Sequence, residues 1–158
     1  MMYYRYMDSP VGRLLMAGDD KGLHLVRFPK GNRPNLPESD WVEARKPFEE
    51  AVYQLEAYFD GKLKYFSLNM CLGVTPFQKK LLRVLQQIPY GETASYGEVA
   101  EKIGNPFASR AVGQANARNP IPIVIPCHRV VGTNGTLTGF GGGIEVKQAL
   151  LDLEQRYR

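Results

Sequence analysis

Apolar and polar positions alternate at the start of the chain. Met2 to Met7, Gly12 to Ala17 and Leu23 to Phe28 each read as short strands, and Gly-Asp-Asp-Lys-Gly at 18 to 22 supplies a turn between the last two. The pattern predicts a small antiparallel sheet. Residues 29 to 40, rich in Pro, Asn and Gly, read as loop. The period then lengthens. Across Pro47 to Asp60, the residues Phe48, Ala51, Val52, Leu55 and Phe59 recur at helical spacing, which predicts a helix over the sheet, closed by Gly61. Leu63 to Met70 is a candidate for a further strand, and a linker is expected between Leu72 and Thr75.

Beyond the linker the pattern is helical. Thr75-Pro76-Phe77-Gln78 has the form of a capping box with Pro at the first helical position, and Phe77, Leu81, Leu85 and Ile88 continue it as an apolar stripe. Pro89-Tyr90-Gly91 ends that helix. Ser95-Tyr96-Gly97-Glu98 is a second capping box, opening a short helix to Ile103; Gly104-Asn105-Pro106 turns the chain, and a further helix follows from Phe107 to Ala115. Two short helices across a tight turn suit a helix-turn-helix, a unit that binds DNA in some proteins and only packs in others. A last helix spans Ile144 to Gln155, with Ile144, Leu150, Leu151 and Leu153 apolar. Division into residues 1–72 and 73–158 follows from this change of pattern.

The net charge of +4 is unevenly placed. Residues 1–75 hold ten Lys/Arg and ten Asp/Glu, whereas 76–158 hold ten against six, so the whole excess lies in the second half. This is a mild polyanion signal that the motifs must strengthen. No apolar run is long enough to span a membrane and no signal-peptide core opens the chain, so a cytoplasmic protein is expected. In that reducing compartment Cys71 and Cys127 are expected as free thiols. His24 and Cys71 are the only soft ligands of the first half, too few for a tetrahedral zinc site unless carboxylates are recruited, and no metal is expected.

The richest chemistry lies between Asn119 and Val131, N-P-I-P-I-V-I-P-C-H-R-V-V. Prolines 120, 122 and 126 remove backbone donors, which excludes a central strand and predicts an extended, stiff segment through the interior. Cys127 beside His128 and Arg129 has the company that activates a thiol, although a buried, inert Cys in an apolar run fits the same letters. On an extended chain neighbouring side chains diverge, so a direct Cys127–His128 hydrogen bond is disfavoured and a bridging water is expected.

Taken together, Asn119-Pro120, Ile125-Pro126-Cys127-His128-Arg129-Val130, the Gly-rich loop Thr138 to Gly143, Gly91-Glu92-Thr93-Ala94-Ser95-Tyr96 and Ser109-Arg110-Ala111-Val112-Gly113 resemble the O6-alkylguanine-DNA alkyltransferase family. The resemblance is ordered over residues 76 to 154 and looser before them. It implies an α+β fold: an N-terminal α/β, ribonuclease H-like domain with an antiparallel sheet (1–72), and a C-terminal, mostly helical DNA-binding and alkyltransferase domain with a winged-helix-like helix-turn-helix (73–158). It implies repair of double-stranded DNA by direct, irreversible transfer of the alkyl group of O6-alkylguanine, and of O4-alkylthymine, to Cys127. One turnover per molecule, no cofactor and a monomer bound through the minor groove are further implications.

The resemblance also assigns residues. Cys127 is the nucleophile, His128 takes its proton through a water, and Glu154 orients the imidazole, a role that its own sequence context would never suggest. Asn119 braces the site, and Tyr96 donates to guanine N3 as charge builds there. Pro122, Val130, Thr138, Gly139, Phe140, Gly141 and Gly142 surround the base, with Lys147 securing nearby structure. Pro122 and Gly142 suit a pocket open enough for a benzyl group. Phe140 departs from the common Tyr and Gly141 from the Ser of some relatives. Arg110 enters the stack in place of the extruded nucleotide. Small side chains Ala108, Ala111, Gly113 and Ala115 let the helix approach DNA, with Asn116 and Arg129 also at that surface. Two rivals remain at this point: an alkyltransferase-like sensor that flips damaged guanine without repairing it, disfavoured because Cys127 is present, and a Cys-His hydrolase, disfavoured because no oxyanion site is evident.

Overall fold

The computed structural model describes residues 1–31, 33–137 and 140–158. Strands β1 (Tyr3–Met7), β2 (Leu14–Asp19) and β3 (Gly22–Arg27) pair antiparallel as meanders, and Val42–Glu43 adds β4 to the other edge, giving the order β3-β2-β1-β4. The three expected strands form the expected antiparallel sheet, and β4, in a stretch for which no strand was expected, runs parallel to β1. The β2–β3 turn is also tighter than expected, because the strands run on to Asp19 and resume at Gly22, with a register shift at Ala17/Gly18 taking up the mismatch.

Helix α1 (Glu49–Phe59) follows a 3-10 turn at Lys46–Phe48, so Pro47 sits in the opening turn rather than in the α-helix. Its apolar face meets the sheet: Phe48, Leu55 and Tyr58 are buried with Leu14, Met16 and Val26 of the strands in one hydrophobic cluster. Residues 63 to 70 do not form the expected strand. Only Met70 bridges to Leu23, held by Leu23 N–H to the Asn69 carbonyl at 2.9 Å and Cys71 N–H to the Leu23 carbonyl at 2.9 Å. Gln54 accounts for part of the rest, since its side chain accepts from Ser67 N–H at 2.9 Å and donates to the Ser67 carbonyl at 3.0 Å in place of a ladder.

In the second half, α2 (Pro76–Leu85) is capped by Thr75, whose hydroxyl accepts from Gln78 N–H at 3.2 Å. A two-residue strand β5 (Ala94–Ser95) leads into α3 (Tyr96–Ile103), where the Ser95/Glu98 capping box forms in full, with both bonds at 3.0 Å. Gly104 ends α3 at φ +94°, the left-handed conformation that a glycine C-cap supplies without strain. The next helix, α4 (Ser109–Ala117), starts later than expected because Asn105 forms a turn first, accepting from Phe107 N–H with its side chain and from Ala108 N–H with its carbonyl. Helix α5 (Ile144–Arg156) closes the fold, and β6 (Val130–Val131) pairs parallel with β5. The hydrophobic cluster includes residues of both halves, and Val26 N–H of β3 donates to the Pro120 carbonyl at 2.9 Å.

Candidate active site

The segment bearing Cys127 is not extended. Ile125 N–H turns back to the Ile121 carbonyl at 3.0 Å, and Asn119 spans the turn, its side chain accepting from Ile121 N–H at 3.0 Å and donating to the Ile125 carbonyl at 2.8 Å. Prolines fit because φ near −65° is as good for a turn as for an extended chain. Within the turn Ile123 lies at φ +74°, a conformation that costs a β-branched residue about 1–3 kcal/mol and persists only under constraint from neighbours. Full burial of Ile121, Ile123 and Ile125 supplies that constraint. Cys127, His128 and Arg129 then form a single 3-10 turn.

All three are buried, as is Glu154 of α5. The carboxylate is the hub. Oε2 accepts from Tyr58 O–H at 2.6 Å and from Arg129 Nη2 at 3.1 Å and lies 2.6 Å from His128 Nε2; Oε1 accepts from Gly91 N–H at 3.0 Å and from Arg129 Nε at 2.8 Å. Burial opposes ionisation of Glu154, but the hydrogen bonds and charges of His128 and Arg129 overcome it and bring the carboxyl down to about 2. An ionised acceptor at Oε2 makes His128 Nε2 the protonated nitrogen, leaving Nδ1 as the base. Nδ1 is buried and hydrogen-bonds to no described protein atom. Burial holds His128 below its ordinary value, against the pull of Glu154, and burial pushes the Cys127 thiol up to about 11, against the Asn119 hydrogen bond and the Lys147 charge. At neutral pH the resting pair is therefore thiol and neutral imidazole.

Cys127 opens onto a pocket also lined by Asn116, Asn119, Pro122, Phe140, Gly141 and Gly142 and, from the N-terminal half, by Val26, Arg27, Phe28, Gly31 and Arg33. The rings of Phe28 and Phe140 lie 5.6 Å apart. A Cβ at Gly142 would meet Phe140 Cε2 at 2.8 Å and the Phe28 ring closer still, so two aromatic rings crowd the position that a side chain would take there. Thr138 and Gly139 lie outside the described residues. Val130 does not line the pocket: it is fully buried where β6 pairs with β5. Lys147 is fully buried on α5, its ammonium 5.9 Å over the Tyr96 ring, and desolvation lowers its pKa while the Cys127 charge opposes that.

Three expectations for the DNA surface are corrected. Arg129 is 5% exposed, paired with Glu154, donating to the Ile88 carbonyl at 2.7 Å and stacked on Tyr90 at 5.7 Å, because a guanidinium at this depth is needed by the carboxylate. Ala108 and Ala115 are buried on the inner face of α4, where small size serves packing. Asn116 is buried too, its amide donating to the Cys127 carbonyl at 3.2 Å. Arg110 and Ala111 are exposed, and Gly113 is half-buried against the Tyr96 ring.

Sequence reading missed Tyr58, Tyr90, Gly91, Phe28 and the two N-terminal arginines. Tyr58 lies 96 positions from Glu154 in the chain, and helical periodicity marked neither its buried side nor its hydroxyl. Asp19, His24 and Cys71 bring donor atoms within 4.8 Å of one another beside the β2–β3 turn, so a carboxylate does join the two soft ligands, although these residues lie outside the Cys127 pocket.

Residues 2–72 match the family described as 6-O-methylguanine DNA methyltransferase, ribonuclease-like domain, and residues 76–156 match the corresponding DNA binding domain. The methylated-DNA–protein-cysteine methyltransferase of Methanosarcina acetivorans is 53% identical over 153 residues, which is 97% of this chain and 98% of that one. The Mycobacterium tuberculosis protein of the same name is 48% identical over 156 residues, covering 98% and 93%. The crystal structure of Mycobacterium tuberculosis OGT in complex with DNA superposes with a TM-score of 0.92 at 47% identity, covering 98% of this chain and 94% of the other. The chain belongs to the 6-O-methylguanine DNA methyltransferase family.

Proposed function

We propose that this protein repairs DNA by moving the alkyl group of an extruded O6-alkylguanine onto Cys127. The observation that carries the reading is one arrangement: a buried thiol opening on a pocket, next in sequence to a histidine whose other nitrogen is locked onto an ionised, arginine-paired glutamate.

His128 Nδ1 takes the thiol proton through a water, and the imidazolium so formed is stabilised by Glu154. Sγ attacks the saturated carbon in line as the C–O6 bond breaks, and the electron pair stays on the base. Tyr96 donates to N3 as that charge develops, while Asn119 and Lys147 stabilise the thiolate. Thioether formation leaves no leaving group on sulfur that water can displace, so each molecule reacts once and needs no cofactor. O4-alkylthymine fits the same chemistry.

Duplex DNA hides O6, so the nucleotide is flipped into the pocket, with Arg110 filling its place from the minor-groove side. The protein acts as a monomer in the cytoplasm, associating with the nucleoid when bound. Residues 1–72 and 73–158 form its two domains, the first supplying one pocket wall. No helix among the described residues is long and apolar enough to cross a membrane.

The test is chromatographic analysis of a duplex carrying one O6-methylguanine after reaction with equimolar protein. Guanine replaces the lesion with the wild type. An unchanged lesion sinks the proposal.

A further inference from the structure

One prominent side chain beside α4 plays no part in the chemistry above. Phe107 is 95% exposed, the most exposed large apolar side chain among the described residues, and it belongs to no core cluster. It is held in position, since Asn105 accepts from its backbone N–H at 3.3 Å and from that of Ala108 at 3.0 Å. Phe107, in the turn that leads into α4, and Arg110, Ala111, Gln114 and Arg118 are all exposed, and Arg110, Gln114 and Arg118 recur at intervals of four along one face of the helix. Ala108, Val112, Ala115 and Asn116 face the interior. No acidic residue occurs from Asn105 to Arg118.

An isolated ring on a cationic stripe matches a partner with anions outside and flat apolar surfaces within. Duplex DNA has that construction. Minor-groove proteins insert apolar side chains between base pairs and kink the duplex. We propose that Phe107 is a second wedge, inserted into the stack from the turn that leads into α4, three residues before Arg110, so that the ring opens the duplex beside the nucleotide that Arg110 replaces. The proposal rests on the DNA-repair reading above.

The test compares wild type with Phe107→Ala and Phe107→Leu on three readouts: single-turnover repair of a duplex holding O6-methylguanine, reaction with free O6-benzylguanine, and fluorescence of 2-aminopurine placed beside the lesion. Phe107→Ala is expected to slow duplex repair by roughly tenfold, the scale of one lost base–aromatic stack, and to abolish the fluorescence rise. The free-base reaction stays at the wild-type rate, and Phe107→Leu recovers part of the duplex loss. Wild-type duplex rates and fluorescence in Phe107→Ala overturn the wedge, as do equal losses on duplex and free base. A change confined to self-association in sedimentation also overturns it, assigning the ring to a second copy of the chain. Fluorescence reports insertion even if no alkyl group moves, so failure of the repair reading is seen separately, as a wild type inert to both substrates.

Discussion

Replacing Glu154 by Gln removes the charge at the hub while keeping its shape. Lowering the carboxyl from its ordinary 4.5 to about 2 is worth about 3 kcal/mol of folded-state stability at neutral pH. A similar figure, about 3–5 kcal/mol, follows from leaving a buried charge unpaired, here the Arg129 guanidinium. Because the folded pKa is depressed, the contribution is present above the unfolded value and is lost as pH falls from 4.5 towards 2; at pH 3 roughly half remains. Equilibrium urea unfolding of both proteins from pH 7 to pH 3 measures this. Glu154→Gln should be about 3 kcal/mol less stable at pH 7, equivalent to a melting temperature roughly 6–12 °C lower, and the gap should narrow by half at pH 3. A gap under about 1 kcal/mol at pH 7, or one that does not change with pH, would refute the account of Glu154 as an ionised hub.

Other expectations concern the reaction. With the thiol near 11 and His128 below its usual value, proton transfer between them is internal, so the single-turnover rate should be flat from about pH 7 to pH 9 and fall only as the imidazole protonates below; a tenfold rise per pH unit across that range would show that His128 is not the base. Arg110→Ala should slow repair of duplex DNA far more than reaction with free O6-benzylguanine, and equal losses in the two assays would remove Arg110 from the flipped-out gap. Gly142→Val forces a side chain against Phe28 and Phe140, so it should cost about 1–3 kcal/mol in unfolding experiments and block alkylation by O6-benzylguanine; a normal alkylation rate would contradict the packed wall.

Elements with strong periodicity and local caps were legible in the sequence. The Ser95 box, the β1–β3 meander and the stripe of α2 each depend on residues a few positions apart, and each formed close to where the pattern put it. The stretch at 63 to 70 misled because its alternation serves packing and the Gln54 amide rather than a ladder. The proline-rich segment misled for a different reason. Pro restricts φ but leaves ψ open, and the choice of a turn was made by the Asn119 side chain and the burial of three isoleucines. At the site, Cys127, His128 and Glu154 came from motif resemblance, and the structure brings the last two within 2.6 Å. The resemblance placed Arg129 at the DNA surface; only the fold shows the buried carboxylate that it pairs with. Tyr58, Phe28, Arg27 and Arg33 carry no local signal, since they reach the site through tertiary contacts from the other half of the chain.

The central claim is that Cys127 keeps the alkyl group, and intact-protein mass spectrometry with peptide mapping after reaction with O6-methylguanine duplex tests it most directly. Wild-type protein should gain the mass of one methyl group in place of one proton, confined to the peptide bearing Cys127, while Cys127→Ser gains nothing. An unchanged wild-type mass alongside repaired DNA, or a methyl group on any other residue, would contradict it.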